Sequence, residues 1–246
     1  MGPFPDGVYR AQFPYYYRNP EGMPQEAALD YYLNSIKDVF EQCGPADSIA
    51  AIVVEPLQGE GGFIPAPIEW VKAVRKICDE NGILLVADEV QTGFCRTGRM
   101  FATQYWEEAG VQPDILATAK FIAAALKTIE IMERDDLAGC SCEIGEKVSK
   151  RFNEWKEKYP VIGDVRGLGG MIGLEFVKDQ KSKEPYPEFS AAVISGCAKK
   201  GLMIEGAGTY GNVIRFLAPL VMTDEQLEAG LDIYESVIKE LLEKGL

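Results

Sequence analysis

Apolar positions recur at helical spacing from Gln25 to Gln42, with Ala28, Tyr31, Tyr32, Ile36, Val39 and Phe40 on one face and Gly44 as the stop. A continuous apolar run, Ser48 to Glu55, then ends in an acid. Such a run predicts a parallel strand buried on both faces. A Gly-rich loop follows, and Glu69 to Glu80 reads as an amphipathic helix closed by Asn81-Gly82. Ile83 to Ala87 repeats the apolar strand, now ending in Asp88-Glu89, and Asp114 to Thr118 predicts a third short strand. Strand, helix, strand is the pattern of a βαβ unit with right-handed crossovers.

After Lys120 the pattern changes. Phe121 to Tyr159 reads as helix almost throughout, with a break near Gly139. Strands are predicted at Met171–Val177, Leu202–Glu205 and Val213–Leu217, and helices at Pro187–Lys200 and Asp224–Lys244. Thr223 with Gln226 forms a capping-box pair at the start of the last helix. The chain therefore divides into a parallel-sheet α/β part over residues 1–130 and a smaller α+β part over 131–246. The first 24 residues, with five prolines and four of the eleven tyrosines, carry no period and read as an irregular lead-in.

Composition narrows the chemistry. The 246 residues carry 25 Lys+Arg against 38 Asp+Glu, a formal net charge of −13, which argues against a nucleic-acid partner. The absence of His removes Ser-His-Asp triads and imidazole-based metal helices. The six cysteines include no C-x-x-C pair, and their scatter fits a reducing compartment. No apolar run approaches the length of a membrane span, and no charged-then-apolar leader opens the sequence, so a cytoplasmic protein is expected.

In a parallel sheet, ligands bind at the carboxyl ends of the strands. Those ends carry Glu55, Asp88, Glu89 and Lys120. An acid closing a buried strand, with a lysine just past the next one, suits pyridoxal phosphate (PLP) chemistry. The lysine amine can link to the cofactor aldehyde, and the acid keeps the ring nitrogen protonated so that the ring accepts electrons. Arg215, a charge inside an apolar strand, reads as one half of an ion pair. Arg166 in DVRGLGG reads as a structural residue holding a turn, and Tyr15 to Tyr17 as packing.

The segments AAIVVEPLQGEGGF (50–63), ILLVADEVQTGFCRTGRMFA (83–102), PDILATAK (113–120), IGDVRGLGGMIGLEF (162–176) and NVIRFLAPL (212–220) stand in one order along the chain. In them the sequence resembles the class III (ω-amino acid) PLP-dependent aminotransferases, the 4-aminobutyrate type above all. The resemblance implies fold type I, with a parallel-rich large domain and a small α+β C-terminal domain. It implies transfer of an amino group from an ω-amino acid to a 2-oxo acid such as 2-oxoglutarate, in a homodimer. Residue by residue, Asp88 would pair with the pyridinium nitrogen, Val90 would lie against the ring, and Gln91 would bond near the phenolic oxygen. Lys120 would be the Schiff-base lysine and proton shuttle. Arg215 would clamp the α-carboxylate of the 2-oxo acid, and Glu60 would neutralise Arg215 when the donor has none, with Glu55 close by. No metal is implied.

Two departures accompany the resemblance. The opening GPFPDGVYRAQFPYYYR corresponds to a stretch well inside the family's large domain. The turn that cradles the cofactor phosphate, the stacking aromatic and an arginine for the distal carboxylate belong to the portion before it. Lys120 also runs directly into FIAAALKTIEIM, where the family places a Gly-rich stretch and a phosphate-binding threonine from the second subunit. Phosphate contacts are charge-assisted hydrogen bonds of roughly 1.5–3 kcal/mol each. Their loss makes a non-catalytic remnant that holds PLP weakly or not at all the alternative reading, with an ornithine- or diamine-type enzyme a third.

Overall fold

The computed structural model describes residues 6–118 and 122–246. Its elements follow in the order α1 (Gln25–Gln42), β1 (Ala51–Val54), β2 (Leu57–Gln58), β3 (Ile64–Pro65), α2 (Ile68–Asn81), β4 (Leu84–Asp88), α3 (Thr103–Glu108) and β5 (Ile115–Ala117). Then come α4 (Ile122–Arg134), α5 (Leu137–Lys158), β6 (Ile162–Leu168), β7 (Met171–Phe176), α6 (Pro187–Lys199), β8 (Glu205–Ala207), β9 (Val213–Leu217) and α7 (Asp224–Glu243). They gather into two compact units, which interleave along the chain. The first is Met1–Val54, Ala66–Asp88 and Tyr105–Ala117, and the second is Glu55–Pro65, Glu89–Gln104 and Thr118–Leu246.

In the first unit, β1, β4 and β5 form a parallel sheet in that order, with Ala51 opposite Leu84 and Asp88 opposite Ala117. Helix α2 buries Trp70, Val71, Val74 and Cys78, spaced along one face. It stops where Gly82 turns into the left-handed region (φ 68) and Ile83 N–H reaches back to Cys78 O at 3.0 Å. Helix α1 adds Ala28, Tyr32 and Ile36 to the same core. The tyrosine run is packing, as expected: the Tyr16 and Tyr32 ring centroids lie 6.0 Å apart, and Tyr32 Oη donates to Tyr15 O at 3.2 Å and to Asn19 Oδ1 at 2.9 Å.

One expectation for this sheet fails. The strands are covered on one face only, with Val53 65% exposed, Leu84 44% and Ile115 48%. Continuous apolar runs are the mark of strands covered on both faces, and here helices line a single side. The strands are also shorter than their apolar runs. β1 begins at Ala51 because a 3-10 turn occupies Ala46–Ser48, and β5 spans only Ile115–Ala117.

The second unit is built on an antiparallel sheet in the order β6-β7-β9-β8. Every residue of β7 is buried. Against the sheet pack Val148, Phe152 and Trp155 of α5, Phe189 and Val193 of α6, and Leu231, Tyr234 and Ile238 of α7. Each such side chain contributes about 1.5–3 kcal/mol by leaving water. The α7 capping box forms as read: Thr223 N–H donates to Gln226 Oε1 at 3.1 Å and Gln226 N–H to Thr223 Oγ1 at 3.3 Å.

The long helix breaks at Asp135-Asp136 rather than near Gly139. Asp136 takes a left-handed backbone (φ 45) and caps the new helix by accepting from Gly139 N–H at 3.1 Å. The strand expected at Leu202–Glu205 lies at Glu205–Ala207, because Gly201 (φ 85) ends the preceding turn and ladder pairing with β9 begins only at Glu205. β6 and the short β2–β3 hairpin, pairing Leu57 with Pro65, come as additions to the sequence reading.

Candidate functional site

The side chains singled out above fall into both units. In the first unit, Asp88 is the last residue of β4, at the carboxyl end of the central strand. Such strand ends are where open α/β sheets present ligand groups. Lys120 lies outside the described residues.

In the second unit, the loop between β2 and β3 carries Gly59-Glu60-Gly61-Gly62. Glu55 shapes its start, accepting from Gly59 N–H through Oε2 at 2.8 Å. The loop backbone is tied down twice more. Gly208 N–H donates to Glu60 O at 2.9 Å, and Arg166 Nε donates to Gly62 O at 2.9 Å. Arg166 also donates to Asp164 Oδ2 at 2.9 Å and to Glu175 Oε2 at 2.8 Å, so its role is to hold loop and sheet together, in line with the structural reading. The side chain of Glu60 remains 76% exposed.

Arg215 projects from the middle of β9, where its side chain is only 15% exposed. Nη1 donates to Glu60 Oε1 at 2.5 Å, and Nη2 donates to Glu205 Oε2 at 2.6 Å. Burial works against the charge, but the hydrogen bonds and field of the two carboxylates outweigh it, and the guanidinium pKa is raised. Gln91 joins the same carboxylate by a long contact, Nε2 to Glu60 Oε1 at 3.5 Å. Val90, next to it, is 51% exposed.

One acid that the sequence reading did not single out, Glu205, and one that it placed at a strand end, Glu89, belong to this picture. Glu205 is the cross-strand partner of Arg215 in the β8–β9 ladder, a relation only the register reveals. Glu89, adjacent to Asp88, is fully buried and structural: it accepts from Thr92 Oγ1 at 2.5 Å and from Thr103 N–H at 2.7 Å. Among the described residues, no three or more Cys, Asp or Glu side chains are placed to hold a metal, and no helix is long and apolar enough to cross a membrane.

Taken by itself, the carboxylate of Asp88 in the first unit has the chemistry to partner a protonated ring nitrogen. In the second unit, the Gln91 amide brings a buried Oε1 that has no hydrogen-bond partner among the described residues. The loop leaves that amide its room only because residue 59 is glycine: a Cβ there would fall 2.0 Å from Gln91 Oε1.

Comparison with known proteins settles the family. The model of the class III aminotransferases matches residues 1–126 and again residues 121–238. The chain belongs to the class III aminotransferases. These are PLP-dependent enzymes. A probable 4-aminobutyrate aminotransferase of Bacillus subtilis is 37% identical over 274 residues, covering 97% of this chain and 62% of its own length. The 5-aminovalerate aminotransferase DavT of Pseudomonas putida is 38% identical over 276 residues, covering 98% of this chain and 62% of its own. The solved structure of an (S)-enantioselective omega-transaminase from Thermomicrobium roseum superposes with a TM-score of 0.85 at 26% identity, over 98% of this chain and 62% of that one. The chain thus spans less than two thirds of the aminotransferases it matches. Both sequence alignments are longer than the chain itself, so each relative carries residues with no counterpart here. The two family matches meet at 121–126, directly after Lys120.

Proposed function

We propose that this chain belongs to a PLP-dependent transaminase that moves an amino group from an ω-amino acid of the 4-aminobutyrate type to a 2-oxo acid such as 2-oxoglutarate. We propose further that it works in the cytoplasm as a homodimer, with residues 1–130 contributing the PLP-binding domain and 131–246 the small domain. The observation that carries the reading is the pairing of Arg215 with Glu60. A half-buried guanidinium covered by an exposed carboxylate on a loop is a carboxylate site with a removable cover. With Glu60 in place, the pocket tolerates a donor that has no carboxylate on its reacting carbon. With Glu60 swung away, Arg215 can take the carboxylate of the 2-oxo acid. The backbone bonds from Gly208 and Arg166 let that side chain move while the loop stays put.

When bound, PLP supplies the electron sink that lets a proton leave the substrate carbon. Asp88 would hold a positive charge at the ring nitrogen, Gln91 would bond near its oxygen substituent, and Val90 would offer it an apolar surface. Lys120 would supply the amine that links to the cofactor and the base that moves the substrate proton.

A second reading is favoured by one observation, the junction of two family segments at 121–126 immediately after Lys120. In that reading the family's connection after Lys120 is shortened, and the chain is a remnant that folds but holds PLP weakly or not at all. One experiment separates the two. The purified chain is mixed with PLP, gel-filtered and scanned in the visible range beside Lys120→Ala. A retained band that the variant lacks supports the transaminase. A protein that is folded by circular dichroism yet shows no band supports the remnant.

A further inference from the structure

Arg215 does not offer its donors equally. The guanidinium is a rigid planar fork, and a carboxylate takes it two-pronged in one of two ways: end-on through Nη1 and Nη2, or side-on through Nε and Nη2. Nη2 belongs to both. In this protein Nη1 is held by Glu60, Nη2 is held by Glu205, and Nε is buried without a partner among the described residues.

The two carboxylates reach Arg215 from different elements, and both side chains are largely exposed, Glu60 at 76% and Glu205 at 73%. Glu60 sits in a loop of glycines, 155 residues away from Arg215 in sequence. Glu205 stands directly opposite Arg215 in the antiparallel ladder of β8 and β9, so the backbone register brings the pair together. Swinging Glu60 aside therefore frees Nη1 alone. One N–H of the nitrogen that both forks share stays with Glu205, and the charge of Glu205 stays beside the guanidinium.

We propose that Glu205 is a specificity-determining residue, a counter-ion set opposite Arg215 by the strand register that competes with carboxylate substrates for the guanidinium and biases the site toward amines that carry no carboxylate on the reacting carbon. The local charge points the same way. Glu60 and Glu205 against Arg215 leave one negative charge in excess when the cover is closed, and neutrality when it is open. A second carboxylate arriving at an already paired guanidinium shares it with Glu205 and meets the field of that carboxylate. A neutral or cationic end of a donor meets no such opposition. The inference rests on the reading of Arg215 as the carboxylate site.

The test uses the full chain and glutarate, a dicarboxylate that cannot react, with binding followed by calorimetry and no turnover required. Glu205→Gln keeps shape and removes charge, and Glu205→Leu serves as a second variant. Circular dichroism and a melt of each variant establish folding. Release of Nη2 is expected to tighten glutarate about fivefold or more, the scale of one charge-assisted hydrogen bond at a half-exposed pair. Adding Arg215→Ala to Glu205→Gln is expected to abolish the gain. If both Glu205 variants bind glutarate no more tightly than the parent while Arg215→Ala weakens it, the role of Glu205 is overturned and the role of Arg215 stands. If Arg215→Ala leaves glutarate binding unchanged in every background, or none of the variants binds it, the carboxylate site itself is elsewhere.

Discussion

Arg215 Nη1 donates to Glu60 Oε1 across 155 residues of sequence, joining the centre of a buried strand to an exposed loop. The strand side of this pair is rigid, with Arg215 flanked in register by Gly173 on β7 and Glu205 on β8. The loop side has its backbone tied down and its side chain, 76% exposed, held by Arg215 and Gln91.

Removing the guanidinium separates those substrates. In the intact transaminase, Arg215→Ala is expected to raise the apparent KM for the 2-oxo acid by about tenfold or more, on the scale of a lost charge-assisted hydrogen bond. The KM for the ω-amine should change far less. Steady-state kinetics with each substrate varied in turn checks this, and equal effects on both would reject the assignment.

Gly59→Ala isolates the positioning of Gln91. The added Cβ meets the end of a flexible side chain, which can move aside, so the melting temperature should fall only slightly, with a cost under about 1 kcal/mol. The amide would be displaced in moving, and retention of PLP on gel filtration should weaken. Unchanged PLP retention in Gly59→Ala would remove Gln91 from the cofactor site.

Much of this was readable in the chain, and what was not has physical reasons. The α1 and α2 faces, β4, β7, β9 and the α7 cap follow from periodicity and capping, all of which act within a few residues. Arg215 stood out because an apolar strand does not bury a charge without cause. β6 escaped notice because Asp164, Arg166 and Gly167 interrupt any apolar alternation. Its strand character comes from the ladder with β7, and its charges are satisfied by Glu175 and the Gly62 carbonyl. Glu205 escaped for a related reason: an exposed acid looks like any other until the register sets it opposite an arginine. The bare face of the parallel sheet could not be read from β1 and β4, whose runs are those of strands with cover on both sides.

Gly145→Ala should be far more damaging than Gly59→Ala, although both replace a buried glycine whose backbone is not left-handed. A Cβ at Gly145 in α5 would lie 1.9 Å from the carbonyl oxygen of Gly169, a backbone atom in the turn between β6 and β7. Helix and turn would have to separate. Overpacking of this kind costs about 1–3 kcal/mol or more, and a denaturant melt should show a clear fall in midpoint. A variant as stable as the parent would mean that α5 does not pack this closely.

The acid limb of stability should report Glu235. This α7 carboxylate, largely buried, accepts from Tyr159 Oη at 2.7 Å, Lys158 Nζ at 2.9 Å and Arg151 Nη2 at 3.2 Å, and Lys239 Nζ lies 3.2 Å away. Burial raises its pKa, but these donors together outweigh burial and bring it from 4.5 down to about 2. A carboxyl whose folded pKa is depressed stabilises the fold above its unfolded pKa and loses that contribution as protons bind. Its contribution is therefore complete above about pH 4.5 and fades toward pH 2, amounting to at most about 3 kcal/mol. Glu235→Gln should flatten the loss of stability across that window while lowering stability at pH 7, as urea melts at stepped pH would show. A parallel offset of the two curves at every pH would assign the acid sensitivity to other carboxylates.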